Sequence, residues 1–342
     1  MLKGLPFVSV IVPTFNEAKY IERCLLSLST QDYPRDRYEI VIVDGYSTDS
    51  TVRQAGRFCD RILYERKQTR AAACNSAMNT MKGEIAAFTD GDCEVESSWL
   101  SNLIRDYDGQ SVGGVGGPNT VVPETDLSLT VLFALGTLLG FGRFRYAATY
   151  DDRREVYHNP GCNSSVTRKA VFDVGLMNEN LLTAEDTELS EKIREAGYKL
   201  LYEPSAKLKH YWSFTFRSFF GWMKKYAIGQ TQLIRLRPSR LMKNPRSLLL
   251  LFPLTAILTA ASLFAFTVFH PSFWAVPVTC IGVYCVYAYL CGVEALIRNI
   301  LQTTYQKSNN PLRFVLDVAS IVMIGQLAWG IGTIQGLAIR NK

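Results

Sequence analysis

Asp90-Gly91-Asp92 sets two carboxylates one residue apart at the end of the apolar run Ile85-Ala86-Ala87-Phe88, and so carries both off the tip of a strand. Paired carboxylates there suit a hard divalent ion, Mg2+ or Mn2+, which is typically held by one or two carboxylates together with substrate phosphates. A second apolar strand, Val41-Ile42-Val43, also ends in an acid, at Asp44-Gly45. Asp-Gly is equally a turn dipeptide, so each motif alone reads as a turn as readily as a ligand. Two acid-tipped strands together point to one nucleotide crevice. A third acidic group, Glu185-Asp186, opens the helical pattern Glu185 to Ala196, whose stop is Gly197. Asp186 falls in the first turn, where the helix dipole favours a carboxylate, and Thr183-Ala184-Glu185-Asp186 also fits a capping box; chemistry and helix capping are both open for it.

The elements that must position these acids follow from the periodicity. Apolar runs at 8–12, 39–43, 61–64 and 85–88 alternate with helical patterns at 20–29, 51–58 and 69–81, which predicts repeated βα units and a parallel sheet. In such open sheets ligands bind beyond the carboxyl ends of the strands, where Pro13-Thr14-Phe15-Asn16-Glu17, Asp44 and Asp90-Gly91-Asp92 all emerge. Val112 to Val122 reads as a glycine-rich strand. Leu127 to Gly142 is apolar but too short to span a bilayer; it fits a membrane-surface segment, with Arg143, Arg145 and Tyr146 at a headgroup boundary, or an ordinary core helix.

Beyond residue 246 the composition changes. Leu248 to Phe269, Phe273 to Ile297 and Phe314 to Ile339 are each long and apolar enough to cross a bilayer, so the chain of 342 residues divides into a mixed, charged part and a membrane region of three helices. Lys224, Lys225, Arg235, Arg237, Arg240, Lys243 and Arg246 crowd the approach to the first span, His270-Pro271-Ser272 carries no Lys or Arg, and Arg298, Lys307 and Arg313 follow the second. This alternation places the N-terminal part in the cytoplasm, with Arg340 and Lys342 as a mild dissent. The formal charge of +6 is explained by the juxtamembrane belt and calls for anionic lipid headgroups, not nucleic acid. Met1 to Pro6 leads directly into a strand, without a signal peptide. The eight cysteines show neither a Cys-x-x-Cys pair nor a disulfide spacing, so the sequence supports neither zinc nor a disulfide framework.

Taken in order, Val10-Ile11-Val12-Pro13-Thr14-Phe15-Asn16-Glu17, Val43-Asp44-Gly45-Tyr46-Ser47-Thr48-Asp49, Asp90-Gly91-Asp92 and Glu185-Asp186 resemble the family 2 glycosyltransferases over roughly residues 7 to 230. The resemblance implies an α/β GT-A domain, a Rossmann-like nucleotide-diphospho-sugar transferase fold, at residues 1–230, followed by a basic segment at 231–247 and a helical transmembrane region at 248–342 with helices near 248–269, 273–297 and 314–339. It implies that Pro13, Glu17 and Asp44 line the nucleoside pocket, that Arg70 and Asn75 belong to a segment closing over the nucleotide, and that Asp90 and Asp92 serve the ribose and a diphosphate-bound Mn2+ or Mg2+. Gly161-Cys162-Asn163-Ser164 resembles the acceptor-side strand, Glu185 and Asp186 the catalytic pair with Asp186 as base, and His210 a histidine that reaches the metal or diphosphate.

The chemistry agrees with these roles. Displacing a nucleoside diphosphate builds negative charge on the leaving oxygens, which a metal at Asp92 would offset, while an acceptor hydroxyl loses its proton to Asp186. One in-line displacement inverts the anomeric centre. Processive members carry Gln-x-x-Arg-Trp, which this chain lacks; the equivalent region here is Phe219-Phe220-Gly221-Trp222-Met223-Lys224-Lys225-Tyr226-Ala227-Ile228-Gly229. The expectation is therefore a membrane-anchored, multi-pass, inverting, metal-dependent transferase with a cytoplasmic catalytic domain. It would move a sugar from a nucleotide-sugar donor, with a UDP-sugar favoured and a GDP-sugar possible, to a polyprenyl-linked acceptor. A polyprenyl-phosphate monosaccharide synthase, a processive polysaccharide synthase, and a membrane scaffold or transport protein with a regulatory nucleotide domain are the alternatives. A dinucleotide-binding dehydrogenase is disfavoured because Pro13-Thr14-Phe15-Asn16 stands where Gly-x-Gly-x-x-Gly belongs.

Overall fold

The computed structural model describes residues 4–105, 107, 111–138, 150–239, 275–301 and 310–339. The chain separates into two compact units, Met1–Val122 with Tyr146–Tyr211, and Pro123–Arg145 with Trp212–Lys342.

The first unit is built on β1 (Val8–Thr14), β2 (Tyr38–Asp44), β3 (Arg61–Tyr64), β4 (Ile85–Phe88), β5 (Cys93–Val95), β6 (Val112–Gly116), β7 (Asn119–Pro123), β8 (Arg154–Glu155), β9 (Ser164–Thr167), β10 (Lys199–Tyr202) and β11 (Leu208–Trp212). Eight form one sheet in the order β3-β2-β1-β4-β9-β6-β10-β8, and three a small sheet, β5-β11-β7. Period-2 alternation sends successive residues to opposite faces. Val8, Val10, Val12, Ile40 and Ile42 share a core with Ile21, Cys24, Leu25 and Leu28 of the helix Ile21–Ser29. Ile11, Val41 and Val43 share the other with Ala71, Cys74, Ala77 and Met78 of the helix Arg70–Thr80. Both faces are covered, which is why β1 and β2 are apolar on both faces apart from the buried, hydrogen-bonded pair Ser9 and Glu39, each large side chain contributing about 1.5–3 kcal/mol on burial.

The expected parallel sheet holds for β3-β2-β1-β4. It breaks at β9, which runs antiparallel to both β4 and β6, and β6 and β10 are parallel again. Among the described residues β9 follows the irregular stretch 156–163 and has no helix directly before it, so no helical crossover there imposes parallel neighbours. Nor is 112–122 one strand. It is β6 and β7, in different sheets, and at the break between them a Cβ on Gly117 would fall 2.0 Å from the Ala206 carbonyl. β1 has β2 on one side and β4 on the other, so the chain changes direction there and opens a crevice at the strand ends.

The second unit contains the helices Asp126–Leu135, Phe216–Leu236, Ala275–Leu301 and Pro311–Ala338. Thr125 and Thr215 cap the first two, the latter in a capping box with Ser218. Among the described residues, two helices have the length and composition of membrane spans, Thr279–Ile297 and Pro311–Ala338. The first bares Ile281, Val283 and Val286, whereas the second is mostly covered by protein. Small residues bring it close to its neighbour: a Cβ on Gly332 would meet the Lys224 carbonyl at 2.4 Å, and one on Gly336 the Ile228 carbonyl at 3.0 Å. The expected span at 248–269 lies outside the described residues, as do Arg143, Arg145 and Tyr146. Residues 126–135 form a helix that packs against Pro311–Ala338.

Candidate active site

The loops leaving β1 and β2 are laced together. Asn16 N–H donates to Ser47 Oγ and Glu17 N–H to Thr51 Oγ1, each at 2.8 Å, while Asn16 Oδ1 accepts from Thr48 N at 2.8 Å. Asn16 and Tyr46 take left-handed backbone angles, φ 57° and 64°, the kind of cost that persists where the surroundings over-determine a conformation. Asp44 is fully buried, and its carboxylate accepts from Ser47 N at 2.8 Å and Ser47 Oγ at 2.5 Å, which fixes its orientation at the foot of the bay. Pro13 stands one residue before the end of β1, opposite Val43 in register.

Glu17 does more than line this bay. Its side chain lies over Gly91, where a Cβ would meet Glu17 Cγ at 3.2 Å. Burial first, then the negative charges of Asp92 and Asp90, push the Glu17 carboxyl up to about 8. Asp92 Oδ2 is 3.0 Å from His210 Nε2. Burial alone would lower His210, but the Asp92 carboxylate outweighs it and holds the imidazole well above its ordinary value. Glu17, Asp90 and Asp92 bring three carboxylates, all hard oxygen donors, to one place and fit a divalent cation of the Mg2+ or Mn2+ class.

Arg70 joins this acidic group to the second one. From the first turn of its helix it donates Nε–H to Asp90 Oδ1 at 3.0 Å, Nη2–H to the Gly161 carbonyl at 2.5 Å and Nη1–H to Glu185 Oε1 at 3.4 Å. Asn75, one turn further, points elsewhere: its amide bonds the Met177 backbone at both ends and Glu179, tying down the loop 177–179.

The capping reading of Asp186 is overturned. The residue at the cap is Ala184, φ 68°, with no side-chain cap, and Asp186 turns inward. Its Oδ1 accepts from Thr187 N at 2.7 Å, and its Oδ2 from Gly161 N at 3.0 Å with His158 Nε2 at 3.3 Å. Burial opposes charge on Asp186, but His158, Arg70 and the Thr187 amide outweigh it and keep the carboxyl well below the usual range. Glu185 shifts the other way, raised by burial and by the charge of Asp186 beside it.

His158 was not foreseen from the sequence. The available signal was scarcity: three histidines in 342 residues, two of them against site carboxylates. Nor was the meeting of Cys93, Cys162 and His210, whose donor atoms lie within 4.8 Å of one another. No spacing rule links residues so far apart in the chain, which is why the sequence, with neither a Cys-x-x-Cys pair nor a disulfide spacing, lent no support to zinc.

Comparison with known proteins bears on this geometry. The family model "Glycosyl transferase family 2" matches residues 9–174, and "Glycosyl transferase family group 2" matches residues 93–293. Glycosyltransferase AglE of Haloferax volcanii is 28% identical over 221 residues, 59% of this chain and 66% of that protein. The dolichyl N-acetyl-alpha-D-glucosaminyl phosphate 3-beta-D-2,3-diacetamido-2,3-dideoxy-beta-D-glucuronosyltransferase of Methanococcus voltae is 26% identical over 249 residues, 67% of this chain and 74% of that one. Among solved structures, the mannosyltransferase PcManGT from Pyrobaculum calidifontis, in complex with GDP-Man and Mn2+, superposes with a TM-score of 0.56 at 21% identity, over 94% of this chain and 86% of its own. At that identity the likeness speaks for the fold.

Proposed function

Because the chain belongs to the family 2 glycosyltransferases, we propose that it transfers a sugar, with inversion, from a nucleotide-sugar donor to the hydroxyl of a saccharide carried on a polyprenyl-type lipid. The observation that supports this most is Arg70, which holds a donor-side acid group, Asp90 with Asp92 and Glu17, at hydrogen-bonding reach of an acceptor-side group, Glu185 with Asp186. Pro13, Glu17 and Asp44 would receive the nucleoside, and Asp90 the ribose. Asp90 and Asp92 would hold Mn2+ or Mg2+, with His210 backing Asp92. A divalent ion bound there supplies positive charge to the departing diphosphate.

Asp186 accepts the proton of the attacking hydroxyl. His158 keeps it ionised and stabilises the charge arrangement beside it, Gly161 and Thr187 fix its oxygens, and Glu185 buttresses Arg70. This arrangement disfavours the polyprenyl-phosphate synthase alternative. A carboxylate kept anionic repels an acceptor phosphate that is already ionised and needs no base. The apolar helices Thr279–Ile297 and Pro311–Ala338 support membrane attachment. On this reading the catalytic part, residues 1–230, faces the cytoplasm ahead of a basic segment at 231–247 and a multi-pass region at 248–342. Members of the family acting on lipid-bound acceptors need such proximity, and the aromatic cluster Trp212, Phe214, Trp222 and Tyr226 suits the membrane interface.

The test is thermal stabilisation of the detergent-purified protein by UDP and GDP, each with and without Mn2+, since a ligand raises apparent stability by mass action. A shift that requires both one diphosphate and the metal, and is lost in Asp92→Ala, is expected. If no nucleotide shifts the transition under any metal condition, the proposal is lost.

A further inference from the structure

We infer that Cys93, Cys162 and His210 form a site for one soft divalent ion, of the Zn2+ class, distinct from the carboxylate site for Mg2+ or Mn2+. Cys93 opens β5, Cys162 lies in the turn before β9, and His210 is the middle residue of β11. Their donor atoms all fall within 4.8 Å of one another, with Cys162 Sγ 3.8 Å from His210 Nδ1. A tetrahedral ion with bonds of about 2.0–2.3 Å needs donors about 3.3–3.8 Å apart, so only small side-chain adjustments separate this geometry from coordination.

The orientation of His210 is the independent observation. Its Nε2 faces Asp92 Oδ2 at 3.0 Å, which makes that nitrogen the donor in the neutral ring and turns the Nδ1 lone pair to the thiols. A carboxylate behind a histidine in this way is the usual support of a zinc-ligating imidazole, fixing its tautomer and raising its basicity. Asn119 Nδ2 in turn donates to Cys162 Sγ at 3.0 Å, a bond that favours a thiolate. All three ligand residues are buried, yet two thiolates and a neutral imidazole cancel the charge of a divalent ion, so occupancy leaves no net charge in the interior. Binding forms two S–metal bonds and one N–metal bond and releases to solvent every proton held on the two sulfurs and on His210 Nδ1, without redox change. Thiolate and imidazole select Zn2+, whereas the oxygen donors of Glu17, Asp90 and Asp92 select Mg2+ or Mn2+, so the two ions sort between neighbouring sites by softness.

The positions give the site a task. Cys93 follows Asp92 directly, and Cys162 follows Gly161, whose amide holds Asp186. A soft ion therefore clamps the backbone on the donor side to the backbone on the acceptor side. Only this last step rests on the transferase reading; the binding itself does not.

The experiment uses the full-length protein in detergent, reduced and stripped of metal, then titrated with Cd2+ under excess Mg2+ and followed by thiolate-to-cadmium absorption and elemental analysis. One ion per chain is expected, with the band roughly halved in Cys93→Ser and in Cys162→Ser and abolished in the double variant. No band in the wild-type protein overturns the inference, as does a band that survives in the double variant. The wild-type measurement needs no substitution, so a variant that fails to fold does not shelter the idea. Nucleotide-dependent thermal shifts on the same preparation separate the two readings: a shift without a cadmium band discards only the soft site, and a band without a shift discards only the transferase.

Discussion

Arg70 and Asp90 are joined by a 3.0 Å hydrogen bond between side chains that are each largely buried, and the same guanidinium reaches Glu185 at 3.4 Å. The planar fork, more than the charge, makes this bridge, because a lysine is a point charge and cannot serve three acceptors along one plane. Arg70→Lys should therefore lower kcat/KM by about 100-fold, an effect of about 2.7 kcal/mol on transition-state stabilisation. Arg70→Met, which leaves buried Glu185 and half-buried Asp90 without their cation, should also cost about 3 kcal/mol of stability. Steady-state kinetics and unfolding of both variants check this; a lysine variant within threefold of wild type would remove Arg70 from the mechanism.

His158 holds Asp186 ionised, so His158→Gln should let its pKa rise. The acid limb of the kcat/KM profile then moves to higher pH, while the rate on the plateau stays within a few-fold, because Gly161 N and Thr187 N still orient the carboxylate. A pH series on hydroxyl acceptors reads this directly. An acid limb that stays in place would show that His158 does not act through Asp186.

Glu17 gives a pH signature of its own. Its carboxyl is raised to about 8 in the folded, metal-free chain, whereas the unfolded chain releases that proton near 4.5, the ordinary value for a glutamate. Between these values the native state binds more protons, so stability contributed by this group is present at low pH and lost as pH rises through the window. The melting temperature of metal-free protein should accordingly fall from pH 5 toward pH 8. Mn2+ or Glu17→Gln should flatten that fall, and a slope unchanged by either would contradict the acid cluster.

Gly91 is needed for contact rather than for backbone freedom, since a Cβ there would meet Glu17 Cγ at 3.2 Å and Cβ at 3.4 Å. Gly91→Ala should push Glu17 away from the two aspartates and weaken Mn2+ binding about tenfold, equivalent to about 1.4 kcal/mol, with little loss of fold stability. Isothermal titration with Mn2+ measures it.

The donor half of this arrangement is legible in the sequence because it is local. Each acid of Asp44 and Asp90-Gly91-Asp92 sits at the end of its own apolar run, and strand-end placement follows from periodicity alone. What joins the halves is not legible. Arg70 looks like any helical arginine until β9 inserts beside β4 and brings Gly161 and the helix Glu185–Glu195 to it. The capping box at Thr183 failed for a related reason: the loop before the helix puts Ala184 into a left-handed conformation, and that choice is made by packing, not by the four residues themselves. Cys93, Cys162 and His210 meet only through the pairing of β5 with β11 and the turn before β9, contacts set by tertiary structure.

The close approach of Gly332 to Lys224 and of Gly336 to Ile228 also has a consequence in time. The helix Phe216–Leu236 is complete on the ribosome about a hundred residues before its partner exists. At about 5–20 residues per second the apolar side of that helix waits roughly 5–20 s for the last one. Through that interval the face that Gly332 and Gly336 will cover lacks its final neighbour, so the order of synthesis sets when this helix pair can close.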